Sequence, residues 1–263
     1  MSTLVSTGID GRIATVRFDT GTRANALSQQ LMQDLTEAAL QFHDAPDISA
    51  VILTGRADQF SMGADLKDPA GTAAAKSSLR ERRILLRRGP RMCEAWENID
   101  ALTICAIEGW CVGGGAALAT SCDLRVAADN AMFYVPEVER GMNMSWGSIP
   151  RFVALVGPAR AKRIAGLCEK VDASTALAWG LYDHVVPPGA SVTKAREIAE
   201  AAAKLPPTAL KMVKQDVNIA ALALARATAH RDLEAFALLQ RSDDFREGIK
   251  AFLEGRDPEF TGD

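Results

Sequence analysis

Alternating hydrophobic and polar positions open the chain. Val5, Thr7 and Ile9 alternate with other residues up to Asp10-Gly11, and the alternation resumes at Ile13. An Asp-Gly pair between two alternating runs predicts two strands joined by a two-residue hairpin turn. We therefore expect the chain to enter its sheet through an antiparallel hairpin.

The pattern then changes to the helical period. Ser28 precedes apolar residues at helical spacing, which predicts a capped helix over Leu31, Leu35, Ala38, Ala39 and Phe42. Short apolar runs predict further strands at Ala50 to Thr54, Thr103 to Ile107, Leu124 to Ala127 and Met132 to Val135. Helices are predicted at Leu79 to Trp96, kinked at Gly89-Pro90, and at Ala116 to Ser121. Strands that alternate with helices predict crossover connections and an α/β fold.

From Pro150 onward the pattern is almost entirely helical. The predicted helices are Pro158 to Leu167, Asp172 to Gly180, Ser191 to Lys204, Thr208 to about Arg226, and His230 to Glu254. We expect a strand-rich core over residues 1–195. A helical region over residues 196–263 is expected to pack on that core or on a neighbouring subunit.

Composition narrows the class of protein. The chain has 263 residues, of which 48% are hydrophobic, so it can bury a substantial core without crosslinks. Its five cysteines lack C-x-x-C spacing, which argues against a disulfide framework and suits a reducing cytoplasm. No apolar stretch reaches the length of a membrane span, and the net charge of −3 gives no general attraction to nucleic acid. We expect a cytoplasmic protein that binds neither nucleic acid nor membrane.

Three segments carry candidate chemistry. They are the turn in Phe60 to Asp65, the run from Ile107 to Leu118 that holds three consecutive glycines and is followed by Cys122-Asp123, and the Pro-Glu pair in Phe133 to Glu137. A glycine run between a buried strand and a helix lets the backbone approach a ligand and leaves N–H groups free to bind an anionic oxygen. Taken alone, the same run also fits close packing of the helix on the strand.

At these segments the sequence resembles the crotonase (enoyl-CoA hydratase/isomerase) superfamily, and the resemblance extends from the initial hairpin through Asn25-Ala26-Leu27 to Arg246-Glu247-Gly248. It implies a core of ββα spiral turns and C-terminal helices that join the chain into a homotrimer or hexamer. It also implies an acyl-CoA substrate and no metal or redox cofactor, because coenzyme A is part of the substrate.

The resemblance also assigns roles to individual residues. The backbone N–H groups of Ala64, which follows Gly63, and of Gly114, which follows Gly113, would hold the thioester oxygen and stabilise its enolate. Each such donor contributes about 3 to 4 kcal/mol in acyl-transfer sites. Glu137 would then transfer the proton, and the nearby Glu139 is a competitor for that role.

One departure from the family pattern bears on the reaction. Family hydratases carry a second glutamate three residues after the oxyanion glycine, and here that residue is Ala117. Hydration uses two carboxylates, whereas one suffices to move a proton between C2 and C4. We therefore predict double-bond isomerisation ahead of hydration. A non-catalytic acyl-CoA-binding protein is the alternative of another class, favoured by Ala117 and opposed by Glu137.

Further substrate contacts follow from the resemblance. The expected residues around coenzyme A are Arg23, Ala24, Ala26, Met62 and Asp65, together with Phe252, which matches an aromatic that hydratases lend to a neighbouring subunit. Ser145 or Asn143 would bind water or a polar substrate group, or else cap the helix that follows. Trp146 either lines the acyl pocket or belongs to the core.

Motifs for other reactions are absent from the sequence. No Lys-Ser or Lys-Thr follows the glycines, so they are not a P-loop, and no G-x-S-x-G elbow supports a serine hydrolase. The three histidines are widely spaced, which argues against a histidine metal site.

Overall fold

The predicted hairpin forms the edge of a six-stranded sheet. In a computed structural model, which describes residues 4–70, 78–223 and 225–263, strands β1 (Val5–Asp10) and β2 (Ile13–Phe18) pair antiparallel, with Asp10 opposite Ile13. The turn therefore lies where the Asp10-Gly11 pair predicted it.

The remaining strands complete this sheet and a smaller one. They are β3 (Ala50–Thr54), β4 (Leu102–Ile107), β5 (Trp110–Val112), β6 (Leu124–Ala128), β7 (Met132–Tyr134), β8 (Val171–Asp172) and β9 (His184–Val186). The large sheet has the order β1-β2-β3-β4-β6-β9 and is parallel from β2 onward, while β5, β7 and β8 form the small sheet. The predicted parallel crossovers are confirmed. Strands β5, β8 and β9 were not predicted, because two or three residues are too few to show a period.

Eleven helices are described, beginning with α1 (Gln29–Leu40), which Ser28 caps by accepting a hydrogen bond from the Leu31 N–H at 3.2 Å. The others are α2 (Leu79–Leu86), α3 (Arg88–Glu97), α4 (Gly114–Thr120), α5 (Ser148–Ala165), α6 (Ala173–Trp179), α7 (Ser191–Ala203), α8 (Pro207–Ala221), α9 (Ala225–Leu239), α10 (Asp243–Glu254) and the 3-10 turn Val138–Arg140.

Three helix predictions were wrong in detail. The helix predicted from Pro158 to Leu167 begins at Ser148 and ends at Ala165, with a non-helical residue, Gly157 (φ +77°), just before Pro158. The segment predicted as one kinked helix is divided into α2 and α3 at Arg87, ahead of the Gly89-Pro90 pair. The segment predicted as one helix from His230 to Glu254 is divided by Ser242, whose hydroxyl accepts a hydrogen bond from the Phe245 N–H and so starts α10. Local capping therefore overrides a continuous helical pattern.

Both faces of the large sheet are buried. On one face, Ala195 and Ala199 of α7 pack on Ile52 and Ile104 of the central strands. On the other face, the larger core cluster joins the sheet to α1, α3 and α4. This double burial explains why β3 is an uninterrupted apolar run, each residue of which is buried. The division predicted at residue 195 lies within α7 and stays a prediction.

Two further expectations concerned disulfides and membrane-spanning helices. All five cysteines are buried free thiols. Within the described parts of the chain, no helix is long and apolar enough to cross a membrane.

Candidate active site

One cavity brings the three motif segments together. Its volume is about 110 Å³, and it lies between the turn after Met62, the start of α4 and the loop before α5. Eight of the predicted site residues line it, namely Met62, Gly63, Ala64, Gly113, Gly114, Glu137, Ser145 and Trp146. The remaining wall consists of Leu66, Arg140, Met142, Asn143, Met144 and Phe236.

Ala64 and Gly114 bring to this cavity two backbone N–H groups that donate to no acceptor among the described residues. A methyl group placed on Gly63 would lie 3.2 Å from the amide nitrogen of Gly114, and one placed on Gly114 would lie 3.3 Å from that of Ala64. The two nitrogens are therefore close neighbours. Gly114 is the first residue of α4, so its N–H has no acceptor inside the helix. Leu27 and Asp65 make the hydrogen bonds beside Ala64, whose own N–H has no acceptor among the described residues.

The approach to α4 requires glycine. Gly113 has φ +50° and ψ −112°, a conformation that other residues rarely adopt. A methyl group on Gly113 would also lie 2.6 Å from Oε1 of Glu137. The absence of a side chain at Gly113 thus lets the Glu137 carboxyl come into contact with the backbone that leads into α4.

Glu137 is the acid of this cavity. It follows β7 and precedes the 3-10 turn, and its Oε2 is buried without a hydrogen-bond partner among the described residues. Burial raises the pKa of the Glu137 carboxyl to about 7, although attraction to Arg140 lowers it in part. A carboxyl with this pKa both accepts and releases a proton near neutral pH, as general acid–base catalysis requires.

The competing acid, Glu139, lies elsewhere. Its carboxylate accepts a hydrogen bond from the Tyr134 hydroxyl, its side chain is exposed, and it does not line the cavity. The geometry therefore favours Glu137 over Glu139 as the candidate proton-transferring group.

Trp146 closes the cavity over the oxyanion glycine. Its φ of +59° is rare for a residue other than glycine. A Cβ on Gly89 would lie 2.1 Å from the indole ring, and one on Gly114 would lie 2.6 Å from it. The ring therefore packs between α3 and α4, so Trp146 both lines the pocket and packs against neighbouring helices.

Polar groups of the same loop also reach the cavity. The Oδ1 of Asn143 is buried and lacks a hydrogen-bond partner among the described residues, while its Nδ2 donates weakly to the Asp232 carbonyl at 3.4 Å. Helix α5 begins after Gly147 with no side-chain cap. Neither Asn143 nor Ser145 therefore serves as the helix cap that we considered from the sequence.

Six predicted residues do not line the cavity. The Met62 N–H donates to the Ala24 carbonyl at 2.9 Å, so the segment from residue 23 to 26 runs beside the oxyanion turn. Ala117 is completely buried in the core. Phe252, on α10, is 51% exposed, and its ring contacts the Arg140 guanidinium. The residues outside the cavity are Arg23, Ala24, Ala26, Asp65, Ala117 and Phe252.

Sequence reasoning missed two important wall residues. Arg140 lies three positions after Glu137, and a charged residue so close to a buried acid was the signal available. Phe236 comes from α9, and its helical apolar pattern does not distinguish a pocket wall from core. Only the packing of α9 beside the loop reveals it.

A larger cavity, of about 370 Å³, lies between α8 and the residues after α4. Its central charges are already paired, because the Lys214 ammonium lies 2.7 Å from an Asp123 carboxylate oxygen and donates to the Ala101 carbonyl at 2.9 Å. The Cys122-Asp123 motif is thus structural. Within the described residues, the smaller cavity has two amides without acceptors and one carboxyl oxygen without a donor, so it is the better candidate for chemistry.

Two neighbouring backbone amides and one buried carboxyl at a small cavity are the groups with which a class of enzymes polarises a carbonyl and moves a proton. The family model for enoyl-CoA hydratase/isomerase matches residues 8–263. A probable enoyl-CoA hydratase of Mycobacterium tuberculosis is 32% identical over 255 residues, covering 96% of this chain and 95% of that protein. The short-chain-enoyl-CoA hydratase of Clostridium acetobutylicum is 29% identical, covering 94% and 93%.

Solved structures agree on the fold. An enoyl-CoA hydratase from Mycobacterium avium subsp. paratuberculosis superposes with a TM-score of 0.87 at 24% identity, covering 98% of each chain. The chain belongs to the enoyl-CoA hydratase/isomerase family, an enzyme family that acts on acyl-CoA thioesters.

Proposed function

We propose that this enzyme isomerises the double bond of a short enoyl-CoA thioester through an enolate, with Glu137 as the single proton-transferring group. The observation that carries the proposal is that Glu137 is the one carboxyl among the described residues of the cavity wall. Where family hydratases have a second glutamate, Ala117 is apolar and completely buried.

In the proposed reaction, the Ala64 and Gly114 N–H groups donate hydrogen bonds to the thioester oxygen. As the α-proton leaves C2, negative charge moves to that oxygen, and the two donors stabilise it more in the transition state than in the substrate. The ionised Glu137 takes the proton from C2 and returns it at C4. The reaction only moves a proton, so it needs neither a metal nor a redox cofactor.

The size and position of the cavity support a short acyl group. Its volume of about 110 Å³ is below the range of about 300 to 1,000 Å³ found for drug-sized ligands. We propose that coenzyme A itself lies outside, along Arg23, Ala24 and Ala26 and beside Met62 and Asp65. Phe252, on α10, would contribute a further contact with coenzyme A.

Hydration is the second candidate. Both relatives named above are called hydratases, and the unpartnered Oδ1 of Asn143 in the cavity wall suits a bound water. In that reaction Glu137 would deprotonate the water and then return the proton to C2.

We also propose that copies of the chain associate as trimers or hexamers. Large apolar side chains of α8 are exposed in the single chain, including Met212 at 60% and Ile219 at 70%. Burial of such residues commonly accompanies association. Light scattering on the purified protein distinguishes a monomer from either assembly.

The deciding experiment incubates the protein with 3-enoyl-CoA or 2-enoyl-CoA in D2O. We expect 3-enoyl-CoA to become 2-enoyl-CoA, with deuterium at C4 in the fraction of turnovers in which the Glu137 carboxyl exchanges its proton with D2O, and Glu137→Gln to abolish the isomerisation. Glu139→Gln is the matched control and should retain activity. Net formation of 3-hydroxyacyl-CoA would replace isomerisation by hydration. Binding without exchange would instead indicate an acyl-CoA-binding role.

A further inference from the structure

Arg140 is the second charged residue in the wall of the candidate cavity. It ends the 3-10 turn that begins after Glu137, and its backbone N–H donates to the Glu137 carbonyl at 3.0 Å. Both residues line the same small space, whose other members are apolar or uncharged, and the Arg140 guanidinium lies at its edge against the Phe252 ring. The cavity therefore contains one acid and one permanent cation, because a guanidinium does not lose its proton in proteins.

Among the described residues, no carboxylate lies within ion-pair distance of the Arg140 guanidinium, although Glu137 and Glu139 are near enough to raise its pKa in part. Its central carbon lies 4.0 Å from the centroid of the Phe252 ring, which holds one face of the group. Among the residues that the structure describes, none accepts a hydrogen bond from it or forms an ion pair with it. The nearby Glu139 carboxylate is instead engaged by Tyr134.

This position is costly for a cation. Burial lowers the pKa of the Arg140 guanidinium, which means that the charged form is less well solvated here than in water. The five N–H donors of an arginine form a planar fork that matches a carboxylate. A purely hydrocarbon acyl group would fill the cavity and leave these donors without acceptors.

The backbone at this point is held firmly by α10. A methyl group on Gly248 would lie 2.5 Å from the Arg140 carbonyl carbon, and one on Gly141 would lie 2.6 Å from the Asp244 carbonyl oxygen. The same helix carries Phe252. Helix α10 thus positions both the turn and the ring that orients the guanidinium.

We propose that Arg140 binds a carboxylate carried by the acyl group. The substrate is then a short acyl-CoA thioester whose acyl chain carries a free carboxylate. Arg140 is then a specificity-determining residue. The proposal deepens the proposed function and rests on its assignment of the acyl group to this cavity.

The test compares thioesters of equal chain length with and without a terminal carboxylate. Saturated pairs measure binding by calorimetry without any reaction, and 2-enoyl or 3-enoyl pairs measure kcat/KM. The variants are Arg140→Met, which keeps length but removes the charge, and Arg140→Lys, which keeps the charge but loses the fork. Arg163→Met is the matched control, because Arg163 also lies over an aromatic ring, 4.7 Å from Trp179, but outside the cavity.

We expect the wild type to bind the carboxylated thioester about 10- to 100-fold more tightly than its neutral counterpart, as for hydrogen bonds to charged groups. Arg140→Met should abolish this preference by weakening only the carboxylated ligand. Arg140→Lys should retain part of the preference and Arg163→Met all of it. Kinetic measurements at a pH well above 7 keep Glu137 ionised in every variant.

Equal or tighter binding of the neutral thioester by the wild type would overturn the proposal, and this result does not depend on whether a variant folds. So would a loss of affinity for free coenzyme A in Arg140→Met, which would assign the guanidinium to a phosphate. The carboxylate preference without proton exchange would support Arg140 while removing the proposed reaction. Proton exchange on neutral thioesters, with no preference for the carboxylated ones, would support the proposed reaction and overturn the role of Arg140.

Discussion

Two parts of the molecule each hold an acid and an arginine, and they differ in how fully these groups are satisfied. At the start of β6, Asp123 accepts hydrogen bonds from the Thr103 N–H at 2.7 Å and from its hydroxyl at 2.9 Å, and pairs with Lys214. Arg125 donates to the Leu181 carbonyl at 2.7 Å and the Cys122 carbonyl at 2.8 Å. In the described structure both charged groups are therefore already engaged by other residues, which leaves neither of them for a ligand.

The turn from Glu137 to Arg140 shows the opposite pattern. One Glu137 oxygen is buried without a hydrogen-bond partner, and the Arg140 guanidinium has only the Phe252 ring, within the described residues. Buried polar groups are normally satisfied, since leaving one unpaired costs about 1 to 3 kcal/mol. The satisfied pair stabilises the fold, and the unsatisfied pair has capacity left for a substrate.

The largest effect should come from Glu137→Gln. Loss of the proton-transferring group is expected to lower kcat by about 10²- to 10⁴-fold. Stability should not fall, because the change removes an unpartnered, poorly solvated carboxyl. Enzyme assays and urea unfolding of the same preparation measure both quantities. If Glu137→Gln lowered the free energy of unfolding as much as an Asp123 variant does, then Glu137 would stabilise the fold as Asp123 does, and the contrast between the two acids would be refuted.

Asp123→Asn should have the reverse effect. It leaves the Lys214 ammonium, which is 6% exposed, without its ion-pair partner. Breaking a buried pair in this way costs about 3 to 5 kcal/mol. Urea unfolding should show this loss, whereas the activity of the molecules that remain folded should change little. Unchanged stability would contradict a structural role for the Cys122-Asp123 motif.

The pH dependence of stability distinguishes the same two acids. Burial raises the Glu137 pKa from 4.5 to about 7, so the folded state holds this proton more tightly than the unfolded state. The contribution of the protonated Glu137 to the free energy of unfolding is fully present below pH 4.5 and is lost as the pH rises through about 7. Relative to Glu137→Gln, the wild type should lose up to about 3 kcal/mol across that range. Parallel stability curves for the two proteins would refute a raised pKa.

The same pKa predicts the pH dependence of activity. A base must be ionised before it accepts a proton, so kcat/KM should rise with pH and level off above about 7. Initial rates across this range provide the measurement.

A smaller effect should follow from Gly248→Ala, which alters α10 at a residue that does not itself line the cavity. The added methyl would lie 2.5 Å from Arg140 backbone, so the turn must shift, at a cost of about 1 to 3 kcal/mol for overpacking. We expect roughly tenfold lower kcat/KM, by displacement of the turn. Gly8→Ala is the control, because its methyl would meet nothing within 4 Å. Equal activity of both variants would show that α10 does not position the turn.

Much of the fold was predictable because its signals are local. The Asp10-Gly11 hairpin, the Ser28 cap and the apolar run of β3 each depend on neighbouring residues, and all three are confirmed. The break at Ser242 was missed, because a helical pattern continued on both sides of it. Of the small sheet, only β7 was predicted, whereas β5 and β8 were missed because they are three and two residues long.

The residues of the candidate site also differ in whether a local pattern predicts them. Ala64, Gly114 and Glu137 were expected from motifs that stand beside strands, and the structure brings them to one cavity. Their catalytic roles stay predictions. Arg140 and Phe236 were not expected, because their relation to the cavity depends on helices from the end of the chain.

The sequence by itself determined the order of elements, the glycines that let the backbone approach a ligand, and the replacement of the second family glutamate by Ala117. These are properties of residue type and spacing. Only the tertiary structure decided which buried charges are satisfied. Lys214 reaches Asp123 from α8 and Phe252 reaches Arg140 from α10, and such contacts between distant segments have no local pattern from which they could be predicted.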